Sequence, residues 1–194
     1  MRLGFNNKIH DTAIIEEGVI LGNDNVIGAY TIIKKGTTIG NGNYIGSYCV
    51  IGDFAEKIGC FELNAGVNIG HGNTFTKQVT IDRGTERVTY IGDENTFLAN
   101  SHVGHDATVM NKCVLTCNVA IGGFTTVNSF CNIGLNASTH PRAVMPEGSM
   151  LGSNSFYKGI SKERFKIWVG QPAKIKKDNT IGKERYNKYI LDND

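Results

Sequence analysis

Long apolar runs are missing from this sequence. No stretch of its 194 residues approaches the roughly 18 consecutive apolar residues that a membrane-spanning helix needs. The first residues, Met1 to Asn7, also lack the apolar core of a signal peptide. We therefore expect a cytoplasmic protein without a membrane span.

A strong excess of charge of either sign is missing too. Charged residues make up 20% of the chain and the formal net charge is +2, so the totals do not call for a nucleic-acid partner. Proline is scarce, with 3 residues, whereas glycine is abundant, with 24. This balance fits many tight turns and excludes a collagen-like or low-complexity chain.

Paired cysteine motifs are absent as well, since the five cysteines form no CxxC. Cys49, Cys113 and Cys131 share one position of the repeat described next, where Ala and Thr also occur. We predict that they are small, reduced core residues. The alternative is a nucleophilic thiol, for which Cys117, off that position, is the candidate.

An aliphatic or aromatic residue returns at every sixth position in two long runs. The runs comprise Ile9, Ile15, Leu21, Ile27, Ile33, Ile39, Ile45 and Ile51, then Ile91, Phe97, Val103, Val109, Leu115, Ile121, Val127 and Ile133. A period of six fits neither an amphipathic helix nor a hairpin sheet. It predicts an all-β fold, a parallel β-helix in which three hexapeptides close each triangular coil.

The register breaks between the two runs, which predicts an irregular coil and a projecting loop at Arg83–Arg87. The composition changes after residue 155: residues 156–194 carry a net +5, against −3 for the preceding chain. We predict a β-helix domain over residues 1–155 and a short, basic, partly helical C-terminal cap over residues 156–194. Within the cap, helices are predicted at 161–168 and 179–191.

One stretch of the second run places two histidines beside a carboxylate, namely His102, His105 and Asp106. A carboxylate next to an imidazole fixes its tautomer, and an imidazole titrates near neutral pH. His105 is therefore the candidate general base and Asp106 its partner. His102, with Asp82 and Arg83 from the irregular region, is predicted to bind substrate.

Gly123 follows His105 by one full coil, so stacking brings its backbone N–H close to the imidazole. An uncovered N–H is suited to a developing oxyanion, which makes Gly123 the candidate donor. His140 lies almost two coils after His105 and is predicted to border the same cleft. A metal held by His102 and His105 with a third ligand is the alternative; we predict that no metal is bound.

The chain resembles the hexapeptide-repeat acyltransferases, which form left-handed β-helices; hexads such as Ile27–Ile32 carry this resemblance. The motifs Val79–Thr85, Ile91–Asn95 and His102–Asp106 are similar to those of the acyl-carrier-protein UDP-N-acetylglucosamine O-acyltransferases of lipid A synthesis. This resemblance implies the general base at His105, the oxyanion donor at Gly123 and a homotrimer with sites between subunits. It also implies that the histidines matching His102 and His140 line the cleft.

Two positions depart from that family: Asp82 and Phe124 stand where it has histidines. The segment Gly170–Lys174 instead resembles the ending of coenzyme A-dependent sugar acyltransferases, and the basic tail would hold the donor's phosphates. Coenzyme A is therefore the expected cofactor, with Gly122, Lys174 and Lys176 as its predicted contacts.

These features together predict an acyltransferase that moves an acyl group from an acyl-CoA thioester to a nucleotide-linked amino sugar, by N-acylation with a histidine base. The nearest alternative is the UDP-N-acetylglucosamine 3-O-acyltransferase of lipid A synthesis, whose donor is an acyl carrier protein. An alternative of another class is a non-catalytic structural β-solenoid. Its regular face would be expected to lack the histidine cluster and loop found here.

Overall fold

A computed structural model describes residues 2–59 and 65–193 of the chain. The described chain forms three long sheets whose short strands follow one another in rotation. The first sheet contains β1 Arg2–Leu3, β4 Ile20–Leu21, β7 Thr37–Ile39, β10 Val67–Ile69, β13 Thr89–Ile91, β16 Thr108–Val109, β19 Thr126–Val127 and β22 Val144–Met145. The second contains β2 Lys8–Ile9, β5 Val26–Ile27, β8 Tyr44–Ser47, β11 Thr74–Lys77, β14 Thr96–Phe97, β17 Val114–Leu115, β20 Asn132–Ile133, β23 Met150–Leu151, β25 Lys166–Gly170 and β26 Ala173–Asp178. The third contains β3 Ile14–Ile15, β6 Ile32–Ile33, β9 Val50–Asp53, β12 Thr80–Asp82, β15 His102–Val103, β18 Ala120–Ile121, β21 Ser138–Thr139 and β24 Phe156–Tyr157.

Successive coils stack in parallel and in a constant register through the second run. Val103 pairs with Ile121, and Ile121 pairs with Thr139 in the next coil. Each sheet therefore forms one side of a triangular prism, and the hexapeptide period is confirmed as its cause. The fold is the predicted left-handed parallel β-helix.

The repeated aliphatic residues fill the prism, because every sixth side chain points to its axis. All of those from Leu21 onward in the two runs are buried. Phe75 and Phe97, from neighbouring coils, stack with their ring centroids 4.7 Å apart. The buried cysteines Cys49, Cys113 and Cys131 are free thiols within this core, as predicted.

Asparagines at the small position form a buried ladder along one corner of the prism. The side-chain oxygen of Asn25 accepts hydrogen bonds from the backbone and side-chain nitrogens of Asn43. Asn43 does the same for Asn73, and Asn73 accepts the backbone N–H of Asn95. These amides satisfy corner backbone groups that a strand ladder leaves unpaired.

The register breaks at two places, as predicted. Thr37 of β7 pairs with Val67 of β10, so the intervening coil is enlarged by a segment between residues 54 and 66. Val67 then pairs with Thr89 of β13, so a shorter insertion follows β12 at residues 83–88. After β13 the coils are regular again.

The cap differs from its sequence-based prediction at one element. The helix predicted at 161–168 is wrong, because β25 covers Lys166–Gly170 and extends the second sheet from β23. Trp168 lies buried over the open end of the core, where its ring packs edge-on against Tyr157 at 5.1 Å. This burial of an indole outweighs the weak local preference for a helix.

The second predicted helix is confirmed as α1, Thr180–Asn193. The side chain of Asn179 accepts the N–H of Gly182 at 3.2 Å, as expected of a residue that caps a helix N-terminus. Strand β24 continues the third sheet beyond residue 155 by pairing with β21. The described residues include no helix long and apolar enough to cross a membrane.

Candidate active site

The candidate base and oxyanion donor lie at the corner where the third sheet turns into the first. His105 follows β15, and Gly123 follows β18 in the next coil. Because His102 pairs with Ala120, the residues three further on also stack one above the other. The constant register thus brings together two residues that are distant in sequence.

His105 is oriented by Asp106. Its Nδ1 lies 2.7 Å from Oδ2 of Asp106, whose side chain is completely buried. The carboxylate also accepts the backbone N–H groups of Thr85, Glu86 and Arg87 at 2.7–3.1 Å, as well as the Thr85 hydroxyl at 2.8 Å. Asp106 therefore joins the short insertion after β12 to the corner that holds the candidate base.

These donors decide the ionisation of Asp106. Burial by itself raises the pKa of this carboxyl, but the N–H groups of the loop, with that of Arg87 foremost, and the His105 hydrogen bond lower it well below its usual range. An ionised Asp106 can only accept, so Nδ1 of His105 carries the hydrogen and donates it. The other ring nitrogen, Nε2, is left as the basic atom.

Gly123 lies directly against that basic atom. A Cβ built on Gly123 would meet Nε2 of His105 at 2.7 Å, so only glycine leaves the imidazole in this position. A Cβ on Gly104 would meet the Gly123 nitrogen at 2.9 Å, so a second glycine keeps that nitrogen uncovered. Among the described residues, the Gly123 N–H has no hydrogen-bond partner.

A second polar cluster lies on the β12 side of the two histidines. Nδ1 of His102 is 2.8 Å from the Thr80 hydroxyl, and its Nε2 is 3.9 Å from Oδ2 of Asp82. Asp82 is buried and also accepts the backbone N–H of Glu56 at 3.2 Å. Burial raises the pKa of Asp82, which the neighbouring His102 and the Glu56 N–H partly offset.

Glu56 was not singled out from the sequence, since it lies in the irregular segment, where no period predicts its neighbours. One ligand atom each from Glu56, Asp82 and His102 lies within 4.8 Å of the other two. Such a group suits a small cation, either a metal ion or an ammonium group. The absence of a metal remains a prediction.

Three other predicted site residues point elsewhere or are occupied locally. The buried Arg83 guanidinium donates to the carbonyl of Gly52 and lies 5.4 Å from the ring centre of Phe54. His140 is exposed, with Nδ1 2.8 Å from the Pro141 carbonyl. Gly122 packs so closely on the next coil that a Cβ would meet the Pro141 nitrogen at 2.7 Å.

Lys174 and Lys176 are exposed on β26, at the C-terminal end of the second sheet. In a triangular prism that sheet is the side opposite the corner of His105. A single protomer therefore does not place these two lysines in one cleft with the histidine, and their predicted role in holding coenzyme A remains a prediction.

A parallel β-helix with an oriented histidine beside an uncovered backbone N–H defines the class of hexapeptide-repeat transferases. A family model described as bacterial transferase hexapeptide (six repeats) matches residues 21–53. The solved UDP-N-acetylglucosamine acyltransferase from Campylobacter jejuni is similar to this chain, with 31% identity and a TM-score of 0.77. The match covers 92% of this chain and 77% of the other.

Two further solved structures are also similar to this chain. The UDP-N-acetylglucosamine acyltransferase from Bacteroides fragilis has 29% identity and a TM-score of 0.67, over 95% of this chain and 73% of the other. The UDP-N-acetylglucosamine O-acyltransferase from Moraxella catarrhalis has 26% identity and a TM-score of 0.67, over 93% and 76%. The chain belongs to the hexapeptide-repeat acyltransferases, in the group similar to these enzymes. It is an acyltransferase, and the alternative of a non-catalytic solenoid is set aside.

Proposed function

We propose that this acyltransferase transfers an acyl group from a coenzyme A thioester to the amine of a nucleotide-linked amino sugar. One observation carries the proposal: Nδ1 of His105 is held by an ionised Asp106, while Nε2 lies against Gly123. This arrangement supplies an oriented base and an oxyanion donor at one point.

The acyl-transfer step itself uses these two groups. Nε2 of His105 accepts a proton from the acceptor nitrogen as the new C–N bond forms at the thioester carbonyl. The carbonyl oxygen becomes an oxyanion and accepts the N–H of Gly123. When the tetrahedral intermediate collapses, the C–S bond breaks, and the imidazolium returns its proton to the leaving thiolate.

The cluster beside His102 supports an amine as the acceptor. An amino group with a pKa near 8 arrives mostly as an ammonium, so it must lose one proton before it can attack and another afterwards. The carboxylates of Asp82 and Glu56 attract the ammonium, and Asp82 offers a first place for its proton. A hydroxyl acceptor is uncharged, so it needs neither a carboxylate to attract it nor a second proton acceptor.

The basic residues of the cap bear on the acyl donor and on the oligomeric state. If Lys174 and Lys176 hold the donor's phosphates, they must act on the site of another subunit, because within one protomer they lie on the side opposite His105. A homotrimer with sites between its subunits meets this requirement. A cytoplasmic location, where acyl-CoA and nucleotide sugars are available, remains part of the proposal.

A second candidate is O-acylation of UDP-N-acetylglucosamine from an acyl carrier protein. The likeness to solved UDP-N-acetylglucosamine acyltransferases, at 31% identity for one of them, favours it. Asp82 is the feature that argues for the first candidate instead.

The test compares acceptors and donors on the wild type and two variants. His105→Gln is expected to lower kcat by about 10²–10⁴-fold with every substrate pair. Amino and hydroxy forms of the same nucleotide sugar would each be assayed with acyl-CoA and with acylated carrier protein as the donor. We expect acyl-CoA with the amino form to be preferred, and Asp82→Asn to reduce turnover of the amino form more than that of the hydroxy form.

Three results would contradict this proposal. Retention of more than about a tenth of kcat by His105→Gln would remove its role as the base. A wild-type preference for the hydroxy form and the carrier protein would establish the second candidate. An equal loss on both acceptors in Asp82→Asn would leave Asp82 without a role in choosing the nucleophile.

A further inference from the structure

The ring of Phe124 is surrounded by positive charge. The guanidinium carbon of Arg142 lies 4.2 Å from the ring centroid, that of Arg87 lies 5.7 Å from it, and Nζ of Lys57 lies 6.0 Å from it. These cations come from three separate parts of the chain: the enlarged coil, the insertion after β12 and the corner after β21. We refer to Lys57, Arg87 and Arg142 as the cationic rim.

The rim lies next to the catalytic corner. Phe124 directly follows Gly123, and its ring meets the His105 imidazole edge-on, with the centroids 5.3 Å apart. Its backbone N–H donates to the His105 carbonyl at 2.9 Å, which fixes the two residues relative to each other. The guanidinium of Arg142 is thus one aromatic ring away from the base.

The three cations differ in how many hydrogen bonds and ion pairs they already form within the protein. Arg87 donates through Nε to the Asp106 carbonyl at 2.8 Å and through Nη2 to the Phe124 carbonyl at 3.3 Å. Lys57 lies 3.4 Å from a carboxylate oxygen of Glu86. For the exposed Arg142 side chain, the described residues offer the Phe124 ring but no hydrogen bond or ion pair. Its guanidinium donors are therefore available to a ligand.

The local charge balance calls for an anion. Among the described residues, the Asp106 carboxylate forms no ion pair with a rim side chain, since the loop N–H groups and His105 occupy its oxygens. Glu86 is the one carboxylate, within the part of the chain that the structure describes, that forms an ion pair with a rim residue. Contact with one aromatic ring stabilises an exposed cation only weakly, and like charges so close repel one another.

We propose that the cationic rim binds the diphosphate of the nucleotide-linked sugar, with Arg142 as its main contact. This inference rests on the proposed function, because it concerns the acceptor of the same reaction. In such an acceptor a single sugar ring separates the attacking group from the anomeric diphosphate. The single ring of Phe124 separates His105 from Arg142 in the same way.

The same comparison disfavours the donor as the ligand of the rim. In coenzyme A and in an acyl carrier protein, the whole pantetheine arm separates the thioester from the nearest phosphate. A thioester at His105 would place those phosphates well beyond Phe124. A guanidinium with free donors also suits two phosphate oxygens, which it contacts through two parallel hydrogen bonds.

The test measures binding by calorimetry, with nucleoside diphosphates (UDP, dTDP, GDP and CDP) and coenzyme A as separate probes. The variants are Arg142→Met, Arg142→Lys and the matched control Arg2→Met, which removes an exposed arginine from β1 in the first coil. We expect Arg142→Met to weaken the best nucleoside diphosphate at least tenfold and to leave coenzyme A within twofold. Arg142→Lys is expected to fall between, and the control to match the wild type. In steady state the KM for the nucleotide sugar should rise while kcat changes less than threefold.

Each contrary outcome has its own meaning. If Arg142→Met bound nucleoside diphosphates as the wild type does, the rim would not hold the diphosphate, while the proposed function would stand. If the variant instead lost coenzyme A, the rim would be a donor site and the inference would be wrong. If the wild type bound no nucleoside diphosphate, the proposed acceptor class would fail together with this inference. Unchanged thermal stability of each variant, expected for exposed side chains, confirms that folding is not the cause.

Discussion

Replacement of Gly123 by alanine tests the geometry of the site directly. The new Cβ would lie 2.7 Å from Nε2 of His105, 2.9 Å from Cε1 and 3.1 Å from Cδ2. Non-bonded carbon contacts are favourable at about 3.5–4.0 Å, so the imidazole must move by roughly 1 Å. The ring cannot move that far and keep its 2.7 Å hydrogen bond to the buried Asp106.

The magnitude follows from the sensitivity of catalysis to position. A displacement of about 1 Å in a catalytic group costs on the order of 10²-fold in rate, so we expect kcat of Gly123→Ala to fall by about that factor. The backbone N–H remains in the variant, so this loss reports on the base and not on the oxyanion donor. Stability should change little, because the atoms nearest the new methyl group belong to one partly exposed side chain that can turn away.

The assay is single-turnover acyl transfer, with thermal unfolding measured on the same preparations. A double-mutant cycle with His105→Ala separates the two explanations of a loss: without the imidazole, the alanine at position 123 should have no further effect. Additive losses would mean that the methyl group blocks substrate and not the base. If Gly123→Ala kept more than about a third of the wild-type rate, our placement of Nε2 against this glycine would be refuted.

The other predictions concern two carboxylates and the cap. The pKa of Asp106 is lower in the folded protein than in the unfolded chain. Its contribution to stability is therefore complete above the unfolded pKa of about 3.9 and is lost as the pH falls through the folded pKa. Asp106→Asn should lower the melting temperature at pH 7, and the difference from the wild type should shrink below about pH 4. Burial raises the pKa of Asp82, so ionisation of this carboxyl lowers the stability of the protein as the pH rises through the folded pKa. Asp82→Asn should therefore have a higher melting temperature than the wild type at pH 8, and a smaller increase at pH 4. A lower melting temperature of the variant at pH 8 would contradict this reasoning. Trp168→Ala should cost about 3–5 kcal/mol in urea unfolding, since a buried indole packs on Tyr157 over the end of the core; a cost below about 1 kcal/mol would show that the cap is not part of the cooperative unit.

The sequence was sufficient for the solenoid because its period is a local property repeated many times. A constant spacing fixes which residues stack, so the proximity of His105 and Gly123 could be predicted without a structure. The helix predicted around 161–168 failed for a non-local reason, since Ile167 and Trp168 pair with Met150 and Leu151 of β23. The helix propensity of a short segment carries no information about the open end of the sheet that those residues cover in the folded chain.

The roles of the insertions could not be predicted in this way. Asp106 was expected to orient the base, which its contact with His105 supports, but its hydrogen bonds to the loop at Thr85–Arg87 follow no period. Glu56 and Lys57 come from the enlarged coil and reach opposite sides of the site. Phe124 was noted as a departure from the family, yet the cations around its ring come from three separate segments, which only the folded chain brings together.

The two carboxylates beside the histidines are the reason why we propose an amine as the acceptor. The Asp106 carboxylate has no proton to exchange, because each group that the described residues place against it is a hydrogen-bond donor that keeps it ionised. Of the residues in the described ranges, Glu56 alone donates an N–H to the Asp82 carboxylate, at 3.2 Å. Burial makes the charge of Asp82 unfavourable, so this carboxylate is suited to accept a proton or a cation. A buried carboxylate of this kind lowers stability unless it is paired. In the proposed mechanism, transfer to a hydroxyl group would need only His105 as the base and would leave that loss uncompensated. An ammonium must first lose a proton to become a nucleophilic amine, and we propose that Asp82 accepts this proton.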